Sequence, residues 1–250
     1  MKALALAVIF PCLSFAQTVT VAADEWYPMN GDPKSDKPGF MIELAEKALA
    51  LKGIELEYKI LPWERAIIKA RKGEIDCIVA TSKDELPDFI FGQEEFALDT
   101  TAFFVNDSDS WRFNTSESLS GRKLGSISGY KYGEPIDSWI EDNGDVLAGN
   151  NSLDRNIKML QAKRIDTIIE SELVMGAKLQ SLNATKYVIS AGNTDTSHPL
   201  YLACGPDNPN SSTIVKSLDE GIRVLRKQGH VQDIMSRYGL NDWKTKTNFP

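Results

Sequence analysis

Two glutamates separated by one residue follow an apolar run in the second half of the chain. Glu170 comes directly after the run 165–169, and Glu172 lies two positions further along. A carboxylate at the end of a buried strand can pair with an ammonium group through a charged hydrogen bond, and one in the first turn of a helix interacts favourably with the helix dipole. Glu170 is therefore a candidate contact for a cationic ligand, whereas capping the next helix is an equal alternative for Glu172.

Aromatic and small polar side chains follow several other apolar runs. Aromatic faces can stack on a ring or on a cation, and glycine lets a ligand approach the backbone. The structural alternatives are packing beneath a loop for the aromatic residues, turn formation for the small polar ones, and exposure to solvent for Arg65. With Glu170, the predicted ligand contacts are Trp26, Tyr27, Trp63, Arg65, Thr81, Ser82, Lys83, Gly129, Tyr130, Lys131 and Tyr132.

Sequence motifs for the common catalytic and metal-binding chemistries are not found. The segment 125–129 has the glycine spacing of a nucleophile elbow, but its central residue is Ile127, where that motif needs Ser. No HExxH, paired CxxC, EF-hand loop, GxGxxG or GxxxxGKS/T pattern occurs. We therefore predict no catalytic residue, no metal site and no cofactor, which favours a binding protein over an enzyme.

Strand patterns and helix patterns alternate along the chain, which predicts an α/β fold with mainly parallel sheets. The segment 70–76 is echoed by 161–166, and this internal similarity indicates two similar lobes. The polar segments 106–110 and 193–197 are predicted crossings between them. The predicted strands cover 18–23, 54–60, 75–80, 99–105, 123–127, 165–169 and 200–204, and the predicted helices cover 41–51, 62–71, 136–142, 153–162, 212–228 and 230–238.

The composition is that of a globular protein with an acidic surface. The 250 residues include 28 Lys and Arg against 35 Asp and Glu, which gives a formal net charge of −7. This surplus of carboxylates opposes the dense cationic face that nucleic acids require, so we predict no nucleic-acid partner. Hydrophobic residues at 42% and charged residues at 25% are sufficient for a folded core. The length fits one large domain or two lobes of about 100 residues each.

The first residues have the pattern of a cleaved secretory signal. Met1 and Lys2 precede an apolar run at 3–10, and Ser14-Phe15-Ala16 fits a signal-peptidase site. A buried N-terminal strand or helix is the alternative. We predict that residues 1–16 are removed and that the protein is exported to the periplasm.

Two cysteines remain in the predicted mature chain. Cys77 and Cys204 are far apart in sequence, and both lie within apolar runs. An oxidising compartment permits a disulfide between them. Two buried free thiols are an alternative at least as good, so the sequence leaves the question of a bridge open.

Several short motifs, taken together, resemble one protein family. They cover nearly the whole predicted mature chain, in the order in which the family has them. They are Trp26-Tyr27-Pro28 after the first strand, 38–44 at the start of the first helix, Trp63 with 72–76, then 119–125, and finally 227–234. In these motifs the chain resembles the periplasmic solute-binding proteins of the polar amino acid type, which are the ABC-transporter substrate-binding proteins of bacterial extracellular solute-binding family 3.

This resemblance implies a type II periplasmic-binding-protein fold, in which two crossing strands join two α/β lobes and act as a hinge. The first lobe is expected to comprise 17–105 and 196–250, and the second lobe 106–195. The family binds its ligand in the cleft between the lobes, which close around it. The implied function is binding of a small polar solute, amino-acid-like or cationic, by a monomer that delivers it to a membrane ABC importer.

The chain departs from the family at the positions that bind an amino acid. The family has Thr-x-x-x-Arg to hold the α-carboxylate, but residues 81–88 contain no arginine. The family's aspartate for the α-ammonium group aligns with Ser171. Together with Arg65, Lys83, the paired glutamates and the aromatic residues, these changes favour a zwitterion or a cation with some apolar surface as the ligand.

Two other functions fit the same resemblance. Relatives of this fold include dehydratases that act on cyclohexadienyl substrates. An exported enzyme of that kind is one alternative, with Glu170 or Glu172 as the general acid. The other alternative is a sensing protein whose ligand-bound form docks on a signalling receptor.

Overall fold

The computed structural model describes residues 17–148 and 151–244. The signal sequence predicted for 1–16 lies outside these residues. In the two described segments, no helix is both long enough and apolar enough to cross a membrane.

Strands and helices alternate along the described chain, as the sequence predicts. The strands are β1 (Gln17–Ala23), β2 (Ile54–Ile60), β3 (Cys77–Thr81), β4 (Ile90–Phe91), β5 (Ala97–Asn106), β6 (Leu124–Ile127), β7 (Asp145–Leu147), β8 (Thr167–Ser171) and β9 (Val188–Cys204). The helices are α1 (Phe40–Ala50), α2 (Trp63–Arg71), α3 (Ile136–Asn143), α4 (Ser152–Gln161), α5 (Glu172–Ser181), α6 (Ser211–Lys227) and α7 (His230–Arg237). The sequence patterns did not predict β4 or β7, and they gave no bounds for α5, the helix expected after Glu170.

These strands form one continuous sheet in the order β2-β1-β3-β9-β5-β8-β6-β7, with the short β4 paired to β9. Strand β1 is parallel to β2 and β3, and β6 is parallel to β7 and β8. Among the described strands, every antiparallel pair involves β9 or β5. The predicted α/β fold class is confirmed, and the antiparallel pairing belongs to the two strands that join the two parallel halves of the sheet.

Strand β9 is much longer than the sequence pattern indicates. The predicted strand covers 200–204, whereas β9 begins at Val188 and includes the polar segment 193–197. Within that segment Asn193 pairs with Ala102 of β5. The backbone hydrogen bonds of a strand do not depend on apolar side chains, so a polar sequence continues the ladder here. Strands β5 and β9 together connect the halves of the sheet, and the exact lobe boundaries stay a prediction.

Helix α1 covers β2 and β3 and packs against α6. Its inner face is apolar, and Phe40 and Leu44 are completely buried. Gly221 allows the two helices to approach closely, since a Cβ atom there would lie 2.5 Å from the carbonyl oxygen of Ala48. This packing buries one side of the first half of the sheet and thereby holds the chain that follows β1 in place.

A disulfide bond joins β3 to β9. Cys77 and Cys204 are directly opposite one another in the antiparallel pair, and their sulfur atoms are bonded. Both residues are completely buried. The bond answers the question that the sequence left open, because only the pairing of β3 with the distant end of β9 brings the two cysteines together.

Loss of this disulfide is expected to lower the free energy of unfolding by about 2 to 4 kcal/mol, the usual effect of a bond that constrains a long loop in the unfolded chain. Urea unfolding of the protein with and without dithiothreitol measures the effect. The double variant Cys77→Ala/Cys204→Ala serves as the control, because its midpoint should not respond to the reductant. An identical midpoint for the wild-type protein in both conditions would contradict the prediction.

Candidate functional site

A cavity of about 340 Å³ lies where the two halves of the sheet meet, and we call it the first cavity. Residues that follow β1, β3 and β6 line it, together with residues of β5, β9 and the end of β8. The carboxyl ends of parallel strands meet at one edge of a sheet, which is where ligands bind in open α/β folds. The topology therefore gathers side chains from distant parts of the sequence into one space.

The turn after β1 is fixed by backbone hydrogen bonds and by one glycine. The Trp26 N–H donates to the Asn30 carbonyl at 2.8 Å, and the Met29 N–H donates to the Trp26 carbonyl at 3.0 Å. Gly39 packs directly on this turn and has a φ of +113°. A Cβ atom at this position would clash, because it would lie only 2.3 Å from the Asn30 Cα. Only glycine is free of strain in that position. The close approach holds Trp26 and Asn30 against the first cavity.

Glu170, at the end of β8, is only 1% exposed and lines the first cavity. Its Oε1 atom accepts hydrogen bonds from the Trp26 indole N–H and from the Ser171 backbone N–H, both at 2.8 Å. Its Oε2 atom has no hydrogen-bond partner among the described residues. Burial raises the pKa of Glu170 to about 8, and the nearby charges of Asp99 and Asp24 act in the same direction against the two hydrogen bonds.

Asp24 directly follows β1 and faces the other half of the sheet. The Tyr130 hydroxyl donates a hydrogen bond to its Oδ2 atom at 2.6 Å. Burial raises the pKa of Asp24 to about 6, although the hydrogen bond from Tyr130 acts against the shift. Burial, followed by the charges of Asp24 and Glu170, holds the pKa of the Tyr130 hydroxyl well above its usual value. Tyr130 is therefore a hydrogen-bond donor at neutral pH.

Asp99 lies on β5 next to the end of β8. It accepts a hydrogen bond from the Ser171 hydroxyl at 2.5 Å, and the Ser171 Oγ in turn accepts from the Val174 N–H at the start of α5. Burial raises the pKa of Asp99 to about 7. Ser171, the residue that the resemblance places at the family's ligand-binding aspartate, thus has the carboxyl group of Asp99 beside it.

Glu85 follows β3 and occupies a notable place in the sequence. It stands four residues after Thr81, so in Thr-x-x-x-Arg it takes the arginine position. It accepts hydrogen bonds from the Trp63 indole N–H at 3.0 Å and from the Thr81 hydroxyl at 2.8 Å. Burial raises its pKa. The resemblance implies an arginine at this position, to hold the carboxylate of the ligand. This chain has the acidic side chain of Glu85 there instead.

The first cavity also has aromatic walls. Trp26 and Tyr130 meet edge to face, with ring centroids 6.4 Å apart. Trp63 and Tyr132 line it as well, and both are buried. The Tyr132 hydroxyl accepts a hydrogen bond from the Ile127 N–H at 3.0 Å, which fixes the ring after β6. Such faces suit an apolar chain, an aromatic ring or a cation.

A smaller second cavity of about 160 Å³ adjoins the first. Asp24, Trp26, Tyr130 and Glu170 line both cavities. The hydrogen bonds from Trp26 to Glu170 and from Tyr130 to Asp24 run between the two halves of the sheet. A third bond, from the Ser128 hydroxyl to the Glu64 Oε1 at 2.7 Å, does the same nearby. These three bonds join the two halves of the sheet beside the cavities.

The structure places most of the predicted contacts at these cavities. Tyr27 lines the second cavity, and Thr81 is buried beside the first, where it bonds to Glu85. The predicted residues that line the first cavity are Trp26, Trp63, Ser82, Tyr130, Lys131, Tyr132 and Glu170. They come from five separate regions of the sequence.

Besides Thr81, three further predicted contacts line neither cavity. Arg65 is exposed on α2, because the buried face of that helix begins with Trp63 and continues at Ala66. Lys83 lies over the ring of Tyr201, with its Nζ atom 4.7 Å from the ring centroid. Gly129 lies against Glu64 of the other half of the sheet, so a Cβ atom there would meet that side chain at 2.7 Å.

Sequence reasoning missed several residues of the first cavity. Asp24 directly follows β1, just as Glu170 follows the predicted strand 165–169, so the same signal applied to the first strand would have identified it. Asp99 lies inside a predicted strand, where the signal was a charged residue within an otherwise apolar run. The other missed polar residues with carboxylate, amide, hydroxyl or imidazole groups are Asn30, Asp84, Glu85, Thr101, Glu134, Asp137, Ser171 and His198.

The charges around the first cavity are strongly one-sided. Seven carboxyl side chains line it, against the single lysine Lys131 and the imidazole of His198. No arginine belongs to this lining in the part of the chain that the structure describes. In that same part, no group of three or more His, Cys, Asp or Glu side chains is arranged to hold a metal ion. The lining therefore offers hydrogen-bond acceptors to a ligand that donates hydrogen bonds or carries a positive charge.

Solved structures share this fold at low sequence identity. An ancestral arginine-binding protein bound to glutamine is 18% identical with a TM-score of 0.75, over 90% of this chain and 98% of that one. A Streptococcus pneumoniae ABC-transporter substrate-binding protein with bound histidine is 17% identical with a TM-score of 0.76, over 91% and 95%. A histidine kinase sensor domain is 15% identical with a TM-score of 0.76, over 91% and 99%.

The sequence comparisons differ in their outcome. A search of curated proteins finds no match to the chain. The family model for bacterial extracellular solute-binding proteins, family 3, matches residues 19–241. That match covers nearly the whole chain, and it confirms the resemblance that the short sequence motifs indicated. The chain therefore belongs to the bacterial extracellular solute-binding proteins of family 3.

Proposed function

We propose that the protein binds a small polar solute, amino-acid-like or cationic, in the first cavity and delivers it to an ABC importer in the membrane. The observation that carries the proposal is the composition of the cavity wall. Asp24 and Trp26 from one half of the sheet and Tyr130 and Glu170 from the other line it together. A ligand in this position touches both halves, so its binding stabilises the state in which they are in contact.

The proposed mechanism is closure about the strands β5 and β9, which connect the two halves. The hydrogen bonds from Trp26 to Glu170 and from Tyr130 to Asp24 form only when the halves meet. The importer then recognises the surface that closure creates. Solved neighbours of this fold include substrate-binding proteins with bound histidine and with bound L-arginine, and they support a ligand of similar size.

We place the protein in the periplasm, as a monomer with residues 1–16 removed. Two observations support export. The matching family consists of extracellular proteins, and the buried Cys77–Cys204 disulfide is of a kind that forms in oxidising compartments. The partner is then the extracytoplasmic face of an importer. The sensor-domain neighbour makes a signalling receptor the alternative partner, which affinity capture from detergent-solubilised membranes distinguishes.

A thermal-shift screen of the mature protein tests ligand binding. The panel contains amino acids, amines, organic acids and sugars. One member is expected to raise the melting temperature by about 5 to 10 °C at a hundredfold excess over its Kd, because that excess adds about 2.7 kcal/mol. A panel without any stabilising member, together with no small molecule in native mass spectra of the purified protein, would contradict the proposed function.

Binding without turnover is the second part of the proposal. After long incubation with the protein, the stabilising compound is expected to be recovered with its mass unchanged. A compound that loses water during incubation would instead favour a dehydratase, in which a protonated cleft carboxyl acts as the general acid.

A further inference from the structure

Two residues that line the first cavity each have a buried acceptor atom without a hydrogen-bond partner among the described residues. The first is the Oε2 atom of Glu170, and the second is the Oδ1 atom of Asn30. Asn30 is completely buried, and its amide N–H₂ group already donates to the Asp24 carbonyl at 2.6 Å and to the Tyr58 hydroxyl at 3.0 Å. Its Oδ1 atom accepts no hydrogen bond from the residues that the structure describes. A buried acceptor without a partner is destabilising, and a ligand that donates a hydrogen bond to it removes that cost.

The charged groups of the cavity point to the same kind of ligand. Asp99 and Glu170 are buried in its wall, and Asp24 and Glu85, which are half-buried, lie beside them. Low-dielectric surroundings make an uncompensated carboxylate costly. A cation among these groups offsets that cost, whereas a second anion adds to it.

Among the described residues of this wall, a carboxylate on the ligand finds no arginine and no buried lysine. Lys131 is the one lysine of the lining, and it is exposed, with its Nζ atom 3.8 Å from Glu141. Arg65 and Lys83 lie outside the lining. The position that holds the carboxylate in the Thr-x-x-x-Arg motif carries Glu85 instead. An amino acid therefore brings its carboxylate close to acidic side chains.

We propose that the ligand is a primary amine or guanidine that lacks a carboxylate, with its N–H groups on Glu170 and Asn30 and its apolar part against Trp26 and Tyr130. This inference rests on the proposed function and specifies its ligand class. A nitrogen with several N–H bonds satisfies both free acceptors, whereas a quaternary nitrogen has no hydrogen to donate.

Matched pairs of compounds test the inference, because the members of each pair differ only in the α-carboxylate. The pairs are putrescine with ornithine, agmatine with arginine, histamine with histidine, and tyramine with tyrosine. Isothermal titration calorimetry on the mature protein measures both members. We expect at least one amine to bind, and to bind at least tenfold more tightly than its amino acid. Complete N-methylation of that amine is expected to weaken its binding at least tenfold.

The outcomes separate this inference from the proposed function. An amino acid that binds more tightly than its amine overturns the inference and leaves solute binding intact. Binding of an organic acid or a sugar, without binding of any amine, also overturns the inference and leaves solute binding intact. If no compound of any class binds, both the inference and the proposed function are wrong. Equal affinity for an amine and its N-methylated form contradicts the roles assigned to Glu170 and Asn30.

Discussion

Replacing Glu170 by glutamine is expected to weaken binding of the tightest amine from the matched pairs about a hundredfold. The carboxylate provides a buried charge and a free acceptor for the cation, and removing one partner of such a buried pair costs about 2 to 5 kcal/mol. A hundredfold change corresponds to about 2.7 kcal/mol. Calorimetric titration of the wild-type and variant proteins at pH 8 measures the difference.

The substitution removes the negative charge at residue 170 but keeps the hydrogen bonds that hold this side chain in place. A glutamine carbonyl can still accept the hydrogen bonds from the Trp26 indole and the Ser171 backbone N–H that now reach Glu170 Oε1. The matched control is Glu172→Gln, two residues further along on an exposed side chain, and its affinity is expected to stay within a factor of two. Unchanged affinity in Glu170→Gln would remove this residue from the ligand site.

Raising the pH from 5 to 8 is expected to destabilise the ligand-free protein. Burial raises the pKa of Glu170 from its ordinary value of 4.5 to about 8, so the folded state binds a proton that the unfolded state has released. The resulting stability is fully present below pH 4.5 and is lost as the pH rises through about 8. At about 1.4 kcal/mol per pH unit, Glu170 alone contributes a loss of about 4 kcal/mol over this range.

Asp99 and Asp24 act in the same direction, because burial raises their pKa values to about 7 and about 6. Carboxylates whose pKa is lowered by ion pairs, such as Asp88 beside Arg71, change stability at lower pH. They do not contribute to the trend between pH 5 and 8. Urea unfolding at pH 5, 6, 7 and 8 measures the trend. The slope should be markedly smaller in Glu170→Gln, and a stability that rises with pH would contradict the raised pKa values.

Amine binding is expected to depend on pH with the opposite sign. A cation pairs with the ionised form of Glu170, so binding releases the proton that the ligand-free protein holds below pH 8. Affinity therefore increases as the pH approaches 8, over the range in which the ligand-free protein becomes less stable. The ligand replaces the proton as the group that neutralises the site.

Much of the fold was predictable because local patterns determine it. Helix α2 and strand β2 follow from the spacing of their apolar residues. The length of β9 was not predictable from its side chains, since its middle pairs through the backbone with β5. The disulfide depends on the same long-range pairing. Contacts between distant strands leave little signal in the sequence at either end.

The candidate site was likewise predictable only in part. Glu170 and Tyr130 were predicted because each follows a strand, and the carboxyl ends of parallel strands converge. Arg65 was placed at the site on its charge, but the side of α2 that carries it is exposed. Asp99 was missed because its role depends on Ser171, a residue of another strand. Residue type identified candidates, and only the packing of helices and strands decided among them.

The bond between Cys77 and Cys204 has a consequence for the resistance of the protein to proteases, which cut chains at exposed loops. It closes a covalent ring that contains β5, β6, β7 and β8, and therefore every residue that the second half of the sheet contributes to the first cavity. A single peptide cut within 78–203 opens the ring but cannot release a fragment. The cut chain remains one molecule, with both walls of the cavity still attached to each other.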